Sequence, residues 1–362
     1  MSSEHRIIYG DSRHLDAIED ASVDLVVTSP PYPMIEMWDG VFSSMNPAIR
    51  ASLLEKDGVR SFNLMHEELA KTWNEVRRVL KEGGFACINI GDATRSIDGK
   101  FALYPSSSRI AETFFRLGFD ALPSIIWRKQ TNSPNKFLGS GMLPAGAYPT
   151  LEHEFIHIFR KYGKREFLTE AEKENRRQSA YFWEERNTWF SDIWVDLKGT
   201  RQETGTTIVR ERSGAYPFEL AFRLVNMFSV KGDIVLDPFL GTGTTTLAAM
   251  SSERNSVGLE IDSNFKEIIS ERIRKAREFI NDHVRDRVSR HSKFVDEQLQ
   301  AGQSFKYHNS ALGMGVKEGT EEHIIIRLID KITVMEEGGS YIAEYRELKP
   351  QENLKNLTLS DF

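Results

Sequence analysis

Two short stretches carry residues whose types and order suit chemistry. The first, Asp24 to Met34, reads DLVVTSPPYPM, so an apolar run passes directly into Ser29, Pro30, Pro31 and Tyr32. A proline-bracketed turn has a stiff backbone and presents a carbonyl and a hydroxyl without competing N–H donors. Taken alone, such a turn reads as a surface connection. The second stretch, VLDPFLGTGTTTLAAM, sets Asp237, Phe239, Gly241, Gly243, Thr244 and Thr245 between a strand and an apolar helix. Glycines there let a ligand approach the backbone, and the helix N-terminus offers N–H groups and a positive dipole end. A phosphate-binding P-loop needs a Lys where this chain has Thr, and a dinucleotide fingerprint needs a third glycine that is missing at the proper spacing. On its own the motif leaves a plain strand-to-helix turn open.

The elements that must position these residues read as alternating strands and helices. HRIIYGD, VDLVVTSP and FACINIGD are apolar enough for strands buried on both faces of a parallel sheet. Between the last two, LMHEELAKTWNEVRRVLKEGG spaces Leu64, Leu69, Trp73, Val76 and Leu80 as a helix that ends in glycines. SSRIAETFFRLGF repeats that form, and ALPSIIWRK and HEFIHIFRK read as two further strands. From Tyr162 to Arg212 the chain is charged and shows no clear period. The rhythm then resumes as helix PFELAFRLVNMF, strand DIVLDPF, helix TTTLAAMSS, strand SVGLEID and helix NFKEIISERIRKAREFI. The last eighty or so residues carry strand-like runs, EEHIIIRLIDKITV and SYIAEYREL. The expected fold class is therefore α/β, a mostly parallel twisted sheet with helices on both faces. The expected divisions are 1–160, 161–212, 213–284 and an appendage over 285–362.

Composition bounds the rest. A chain of 362 residues, 40% of them hydrophobic, can bury a large core, and it contains no run of about 18 apolar residues that would span a membrane. The N-terminus MSSEHRIIYG lacks a basic segment followed by an apolar one, so a cytoplasmic protein is expected. The single cysteine, Cys87 in FACINI, excludes a disulfide framework and reads as a small buried hydrophobe. The net charge of -6 does not announce a nucleic-acid binder, although such a face needs only local basic density. His153 and His157 in HEFIHIF alternate as on a strand and lack further ligands, so they read as structural and no metal is expected.

TSPPY together with DPFLGTGTT resembles the paired signatures of the S-adenosylmethionine-dependent amino-methyltransferases of DNA, specifically the N4-cytosine type of restriction-modification systems. The resemblance covers most of Arg6 to Ile280, and the acceptor motif precedes the donor motif, as in the permuted β-class order. It implies a Rossmann-like class I methyltransferase fold that binds S-adenosyl-L-methionine and double-stranded DNA, with a target-recognition insert at 161–212. A cognate endonuclease is the implied partner, no membrane is, and a homodimer is compatible.

In this family the tetrad holds the target amine. Ser29 Oγ and the Pro30 carbonyl are then its acceptors, Pro31 stiffens the turn, and Tyr32 stacks on a base flipped out of the duplex. The resemblance also gives Glu260 the ribose hydroxyls of the cofactor and Asp11 its adenine, a turn or helix-cap role for Asp11 being equally open. Asp262 reads as a cap of the next helix. Asp237 and the Gly241 to Thr245 loop take the methionine end, with YPFEL (Tyr216 to Leu220) packed beside it. Phe218 and Phe239 are the expected apolar contacts, and core packing explains both almost as well.

Trp38, Trp183 and Trp189 are available to fill the gap left by a flipped base, although each also suits the core. Between Trp127 and Arg212 stand 15 Lys or Arg against 12 Asp or Glu, a net of +3 in an acidic chain. Lys161, Lys164, Arg165, Arg176, Arg177, Arg201, Arg210 and Arg212 lie where the family carries its recognition region, while a solvated face is the plain alternative. Adenine N6 methylation is the nearest rival, since related adenine enzymes usually carry Asp where Ser29 stands. Cytosine C5 chemistry needs a nucleophilic cysteine in a loop after proline, whereas Cys87 follows alanine in a strand. An RNA amine methyltransferase and a DNA-binding regulator without catalysis are the more distant alternatives.

Overall fold

The computed structural model describes residues 1–129, 138–139, 143–198, 216–336 and 339–348. Its strands are β1 (Ser2–Tyr9), β2 (Val23–Thr28), β3 (Leu80–Ile90), the hairpin β4 (Ala93–Ile97) and β5 (Lys100–Tyr104), and β6 (Phe119–Arg128). There follow the short pair β7 (Leu138–Gly139) and β8 (Ala147–Tyr148), then β9 (His153–Lys161), β10 (Ile193–Trp194), β11 (Ile234–Asp237) and β12 (Asn255–Glu260). The last are the short pair β13 (Tyr307–Asn309) and β14 (Met314–Val316), then β15 (Arg327–Glu336) and β16 (Ser340–Glu347).

Ten of these strands form one twisted sheet in the order β10-β6-β9-β3-β2-β11-β12-β1-β16-β15. The centre, from β3 to β1, is parallel. β9 runs antiparallel between β3 and β6, and β16 runs antiparallel between β1 and β15. All six residues of β2 are buried, as a central strand covered on both faces requires.

Chain direction across the sheet explains where a site can form. β2 leads through the helix Gly58–Val79 to β3 on one side, while β11 leads through the helix Thr244–Ser251 to β12 on the other. The order therefore reverses between β2 and β11, and a crevice opens at the carboxyl ends of those two strands. Both chemical motifs sit immediately after them. The helix Gly58–Val79 buries Phe62, Met65, Leu69, Trp73 and Val76 against one face of the sheet. The helix Phe218–Phe228 buries Leu220, Phe222 and Leu224 in the core that also holds Leu25, Val27 and Val235.

Three expectations change. The glycines after Leu80 do not close a helix: Gly83, at φ +74°, lies within β3, and a Cβ there would sit 2.5 Å from the Arg165 backbone nitrogen. The segment after residue 162 is ordered into the helices Glu170–Gln178 and Trp183–Trp189, the first closed by a Thr169–Glu172 capping box. The boundary after residue 284 falls inside one 35-residue helix, Lys266–Gln300, because Val284, Val288, His291 and Val295 continue its buried face. Beyond it, β15 and β16 widen the main sheet. Among the described residues, no helix is long and apolar enough to cross a membrane.

Candidate active site

The crevice holds a cavity of about 290 Å³. Ser29, Pro30, Pro31 and Tyr32 line one wall, and Asp237, Phe239, Gly241, Thr244 and Glu260 line the other. Ile35, Met37, Trp38, Val41 and Met45, from the segment after the tetrad, give it an apolar side. Two motifs far apart in sequence thus face one space.

On the tetrad wall, Ser29 Oγ donates to Tyr32 Oη at 3.1 Å, and Tyr32 Oη donates to Glu154 Oε2 at 2.9 Å. Asn89 Nδ2 donates to the same two oxygens, at 3.0 Å and 2.7 Å. Lys129 Nζ pairs with Glu154 Oε1 and lies 4.8 Å above the Trp127 ring. Burial and then the neighbouring Glu154 carboxylate push the Tyr32 phenol well above its ordinary range. Gly91 leaves room for that ring, since a Cβ there would lie 3.1 Å from Tyr32 Cε2.

On the opposite wall, Asp237 is buried and accepts from Thr28 Oγ1 at 2.5 Å, Thr245 Oγ1 at 2.6 Å, Tyr216 Oη at 3.2 Å and the Phe239 N–H at 3.1 Å. Burial pushes its carboxyl upward, and those four donors oppose the shift. Because Thr28 is the residue before Ser29, Asp237 also ties the two motifs together.

Glu260 Oε2 accepts from the Gly241 N–H at 2.8 Å and Oε1 from the Asp262 N–H at 2.9 Å. Burial raises this carboxyl to about 7. Gly241 and Gly243 adopt φ of +54° and +86°, the left-handed region that the turn into the helix Thr244–Ser251 demands. Arg272, from the long helix, donates to the Thr242 carbonyl at 2.7 Å and braces the same loop.

The remaining expected residues are dispersed. Asp11 pairs with Arg13 at 2.6 Å and does not line the cavity, although its neighbours Gly10 and Ser12 do. Hydrogen bonding to Arg13 holds the Asp11 carboxyl below its usual value against the effect of burial. Phe218 turns away to pack on Phe222, Phe279 and His283, and Tyr216 takes the cavity position instead. Thr245 stands behind the wall on Asp237 and Gly243 caps the helix, whereas Asp262 stays at the cavity lining while it caps the turn Ser263–Phe265. Trp183 stacks on Phe294 and Trp189 is buried beneath Tyr181, so of the three tryptophans considered only Trp38 reaches the cavity.

Among the described residues, none of the basic residues expected from 161 to 212 lines the cavity. Lys161 Nζ donates to the Leu80 carbonyl at 2.6 Å, and Arg165 pairs with Asp233 at 2.6 Å, both at the amino ends of the parallel strands. Lys164 follows the same crossing beside Gly83. Arg176 lies 4.8 Å over Phe167, and Arg177 pairs with Glu174 at 3.1 Å, on a helix whose Asn175 donates to the Lys231 carbonyl just before β11. Arg201, Arg210 and Arg212 lie outside the described residues.

Sequence reading missed Asn89, Lys129, Glu154 and Arg272. Tyr216, named only as packing beside the loop, proves to bond Asp237 directly. INIGD and HEFIHIF each place a polar residue at a buried strand position, a signal that could have drawn attention to Asn89 and Glu154. Their meeting depends on the antiparallel β3–β9 register, which sets Asn89 opposite Ile156 and Ile90 opposite Phe155.

Comparison with known proteins gives a consistent picture. The family model described as DNA methylase matches residues 23–271. The Type II methyltransferase M.MthZI of Methanothermobacter thermautotrophicus is 56% identical over 299 residues, covering 82% of this chain and 84% of the relative. The Type II methyltransferase M.MjaI of Methanocaldococcus jannaschii is 51% identical over 284 residues, covering 75% of this chain and 92% of the relative. Among solved structures, TTHA0409 of Thermus thermophilus, complexed with S-adenosyl-L-methionine, is 32% identical with a TM-score of 0.59, over 75% of this chain and 94% of that one. The cytosine-N4-specific PvuII DNA methyltransferase shares the fold, with a TM-score of 0.51 at 16% identity over 74% of this chain and 84% of that one.

Proposed function

We propose that this chain, which belongs to the DNA methylase family, transfers the methyl group of S-adenosyl-L-methionine to the exocyclic N4 amine of cytosine in duplex DNA. The observation that carries this reading is the shared cavity in which Ser29 and Pro30 face the Gly241–Glu260 wall. The relatives named Type II methyltransferases support a role as the modification enzyme of a restriction-modification system, with an endonuclease as functional partner. The motif order fits the permuted β-class.

The residues on the donor wall suit the cofactor. A Cβ built on Gly10 or on Gly241 would meet nothing within 4 Å, so both glycines open backbone directly onto the cavity. Glu260 has each carboxyl oxygen fixed by one backbone N–H, and the lone pairs left over can accept from two ribose hydroxyls. Asp237 adds negative character where a cation is to sit. When bound, the cofactor supplies an electrophilic methyl group on a positively charged sulfur.

Everything else is positioning by the chain. A cytosine amine has its lone pair delocalised into the ring and is a poor nucleophile. Two acceptors, Ser29 Oγ and the Pro30 carbonyl, bind its two hydrogens, favour a pyramidal nitrogen and aim the lone pair across the cavity. Trp38 and the apolar side hold a base turned out of the duplex, at a cost of a few kcal/mol in lost stacking. Ser29, where related adenine enzymes usually carry Asp, favours cytosine over adenine.

The test is incubation with mixed-sequence duplex DNA and isotopically labelled S-adenosyl-L-methionine, then digestion to nucleosides and mass spectrometry. Label in N4-methylcytosine is expected. Label in N6-methyladenine overturns the assignment of the base, and absence of label from every base overturns the activity.

A further inference from the structure

We propose that Glu154 fixes the direction of a hydrogen-bond chain that leaves Ser29 able only to accept, which makes Glu154 a positioning residue for the amine. The inference rests on the function proposed above and deepens it. It begins at the carboxylate, which accepts hydrogen bonds and donates none. Asn89 must therefore turn its amide nitrogen toward Glu154, because the reverse orientation would set two oxygens 2.7 Å apart. Tyr32 Oη, 2.9 Å from the same Oε2, must spend its one hydrogen there.

A phenol hydroxyl has one hydrogen to give and room to accept two. With its hydrogen on Glu154, Tyr32 Oη accepts from Asn89 Nδ2 at 3.0 Å and from Ser29 Oγ at 3.1 Å, which fills it. Ser29 has one hydroxyl hydrogen, and it is consumed by Tyr32. What Ser29 turns to the cavity is a lone pair, as an amine donor requires.

A serine without this arrangement would rotate and spend part of its time presenting a hydrogen to the amine. Burial keeps the Tyr32 phenol protonated, as the chain demands. Lys129 balances the charge of Glu154, whose side chain is only 10% exposed.

Glu154→Gln and Glu154→Asp separate this role from space filling. Gln has the right size but brings an N–H that lets Tyr32 reverse and donate to Ser29. Asp is shorter but still only accepts. Glu154→Gln should lower kcat on the order of 10- to 100-fold with KM for DNA within about 2-fold, and Glu154→Asp should retain more activity than Glu154→Gln. The opposite ranking overturns the proposal. Adding Glu154→Gln to Tyr32→Phe should cost no further rate, since Glu154 acts through Tyr32, and an independent second loss also overturns it.

A reading free of turnover comes from fluorotyrosine placed at position 32 and followed by ¹⁹F NMR against pH in cofactor-free protein. The ionisation midpoint should fall in Glu154→Gln, and an unchanged midpoint overturns the proposal, since Glu154 would then not act on Tyr32. A wild-type protein that methylates no DNA defeats the function proposed above, while the fluorine titration still tests whether the Glu154 carboxylate acts on the Tyr32 phenol.

Discussion

On the tetrad wall of the cavity the buried carboxylate, Glu154, is matched by a lysine, whereas on the donor wall Asp237 and Glu260 are held by hydroxyls and backbone N–H groups. The tetrad wall is thus close to neutral and suits an uncharged amine. The donor wall keeps its negative character and carries the cost of burying it, visible in the upward shifts of both carboxyls. A cationic ligand would relieve that cost. The contrast teaches that one cavity can hold two electrostatic environments side by side when the charges are fixed from behind by different strands.

The largest break should come from Asp237→Asn, which sets an amide among four donors. We expect cofactor affinity to fall by more than about 100-fold and stability by about 2–3 kcal/mol, measured by calorimetric titration and urea unfolding. Equal affinity in the variant would show that Asp237 does not help to hold the cofactor. Next, Ser29→Ala should reduce kcat on the order of 100-fold while the cofactor Kd stays within about 2-fold, because only the amine loses a partner. Parallel losses of both would merge the two walls.

Glu260 sharpens the comparison through pH. Its carboxyl is raised from 4.5 to about 7 in the folded chain, so the folded state holds its proton more tightly than the unfolded one. Stability from this group is fully present below pH 4.5 and is lost as pH rises to about 7, a change of about 3 kcal/mol at most. Glu260→Gln should therefore stabilise the cofactor-free protein at pH 8 by about 1–3 kcal/mol and change little at pH 4, read by urea unfolding at both. Cofactor affinity should rise with pH through the same range in the wild type, roughly tenfold, and stay flat in Glu260→Gln. A flat wild-type profile would exclude the carboxylate as the ribose acceptor.

The smallest effect is expected at the other end of the sheet. Arg176→Ala combined with Arg177→Ala should change DNA affinity by less than about 2-fold at about 150 mM salt, in a fluorescence anisotropy titration, because both side chains have partners within their own region. A larger loss, steeper at low salt, would return the mid-chain cations to the DNA-binding surface.

How much of this was legible follows from how local each feature is. The tetrad and the donor loop are each consecutive in the chain and each follow a strand, so residue order alone carried them. The sheet core was legible for the same reason, since VDLVVT can be little else than a strand covered on both faces. Glu154 and Tyr32 are 122 positions apart and meet only because β9 lies antiparallel beside β3. No short window holds that information. The net charge of residues 127 to 212 does not reveal that Arg165 answers Asp233 or that Arg177 answers Glu174. Past Ile280 the helix turns strongly charged on its outer face, which hid the Val284, Val288 and Val295 stripe that continues it.

The place of β1 has a consequence for the order in which the molecule can be built. It precedes every other described strand in the chain, and its neighbours are Ser256 to Glu260 on one side and Ser340 to Glu344 on the other. During most of the synthesis of this sheet β1 therefore has two open edges, each able to pair with the wrong strand. Contacts so distant in sequence form slowly, because a long loop must close before any of them contributes. The β12–β1–β16–β15 side of the sheet is thus completed last, and both edges of β1 stay open to other pairings until β12 and β16 have been made.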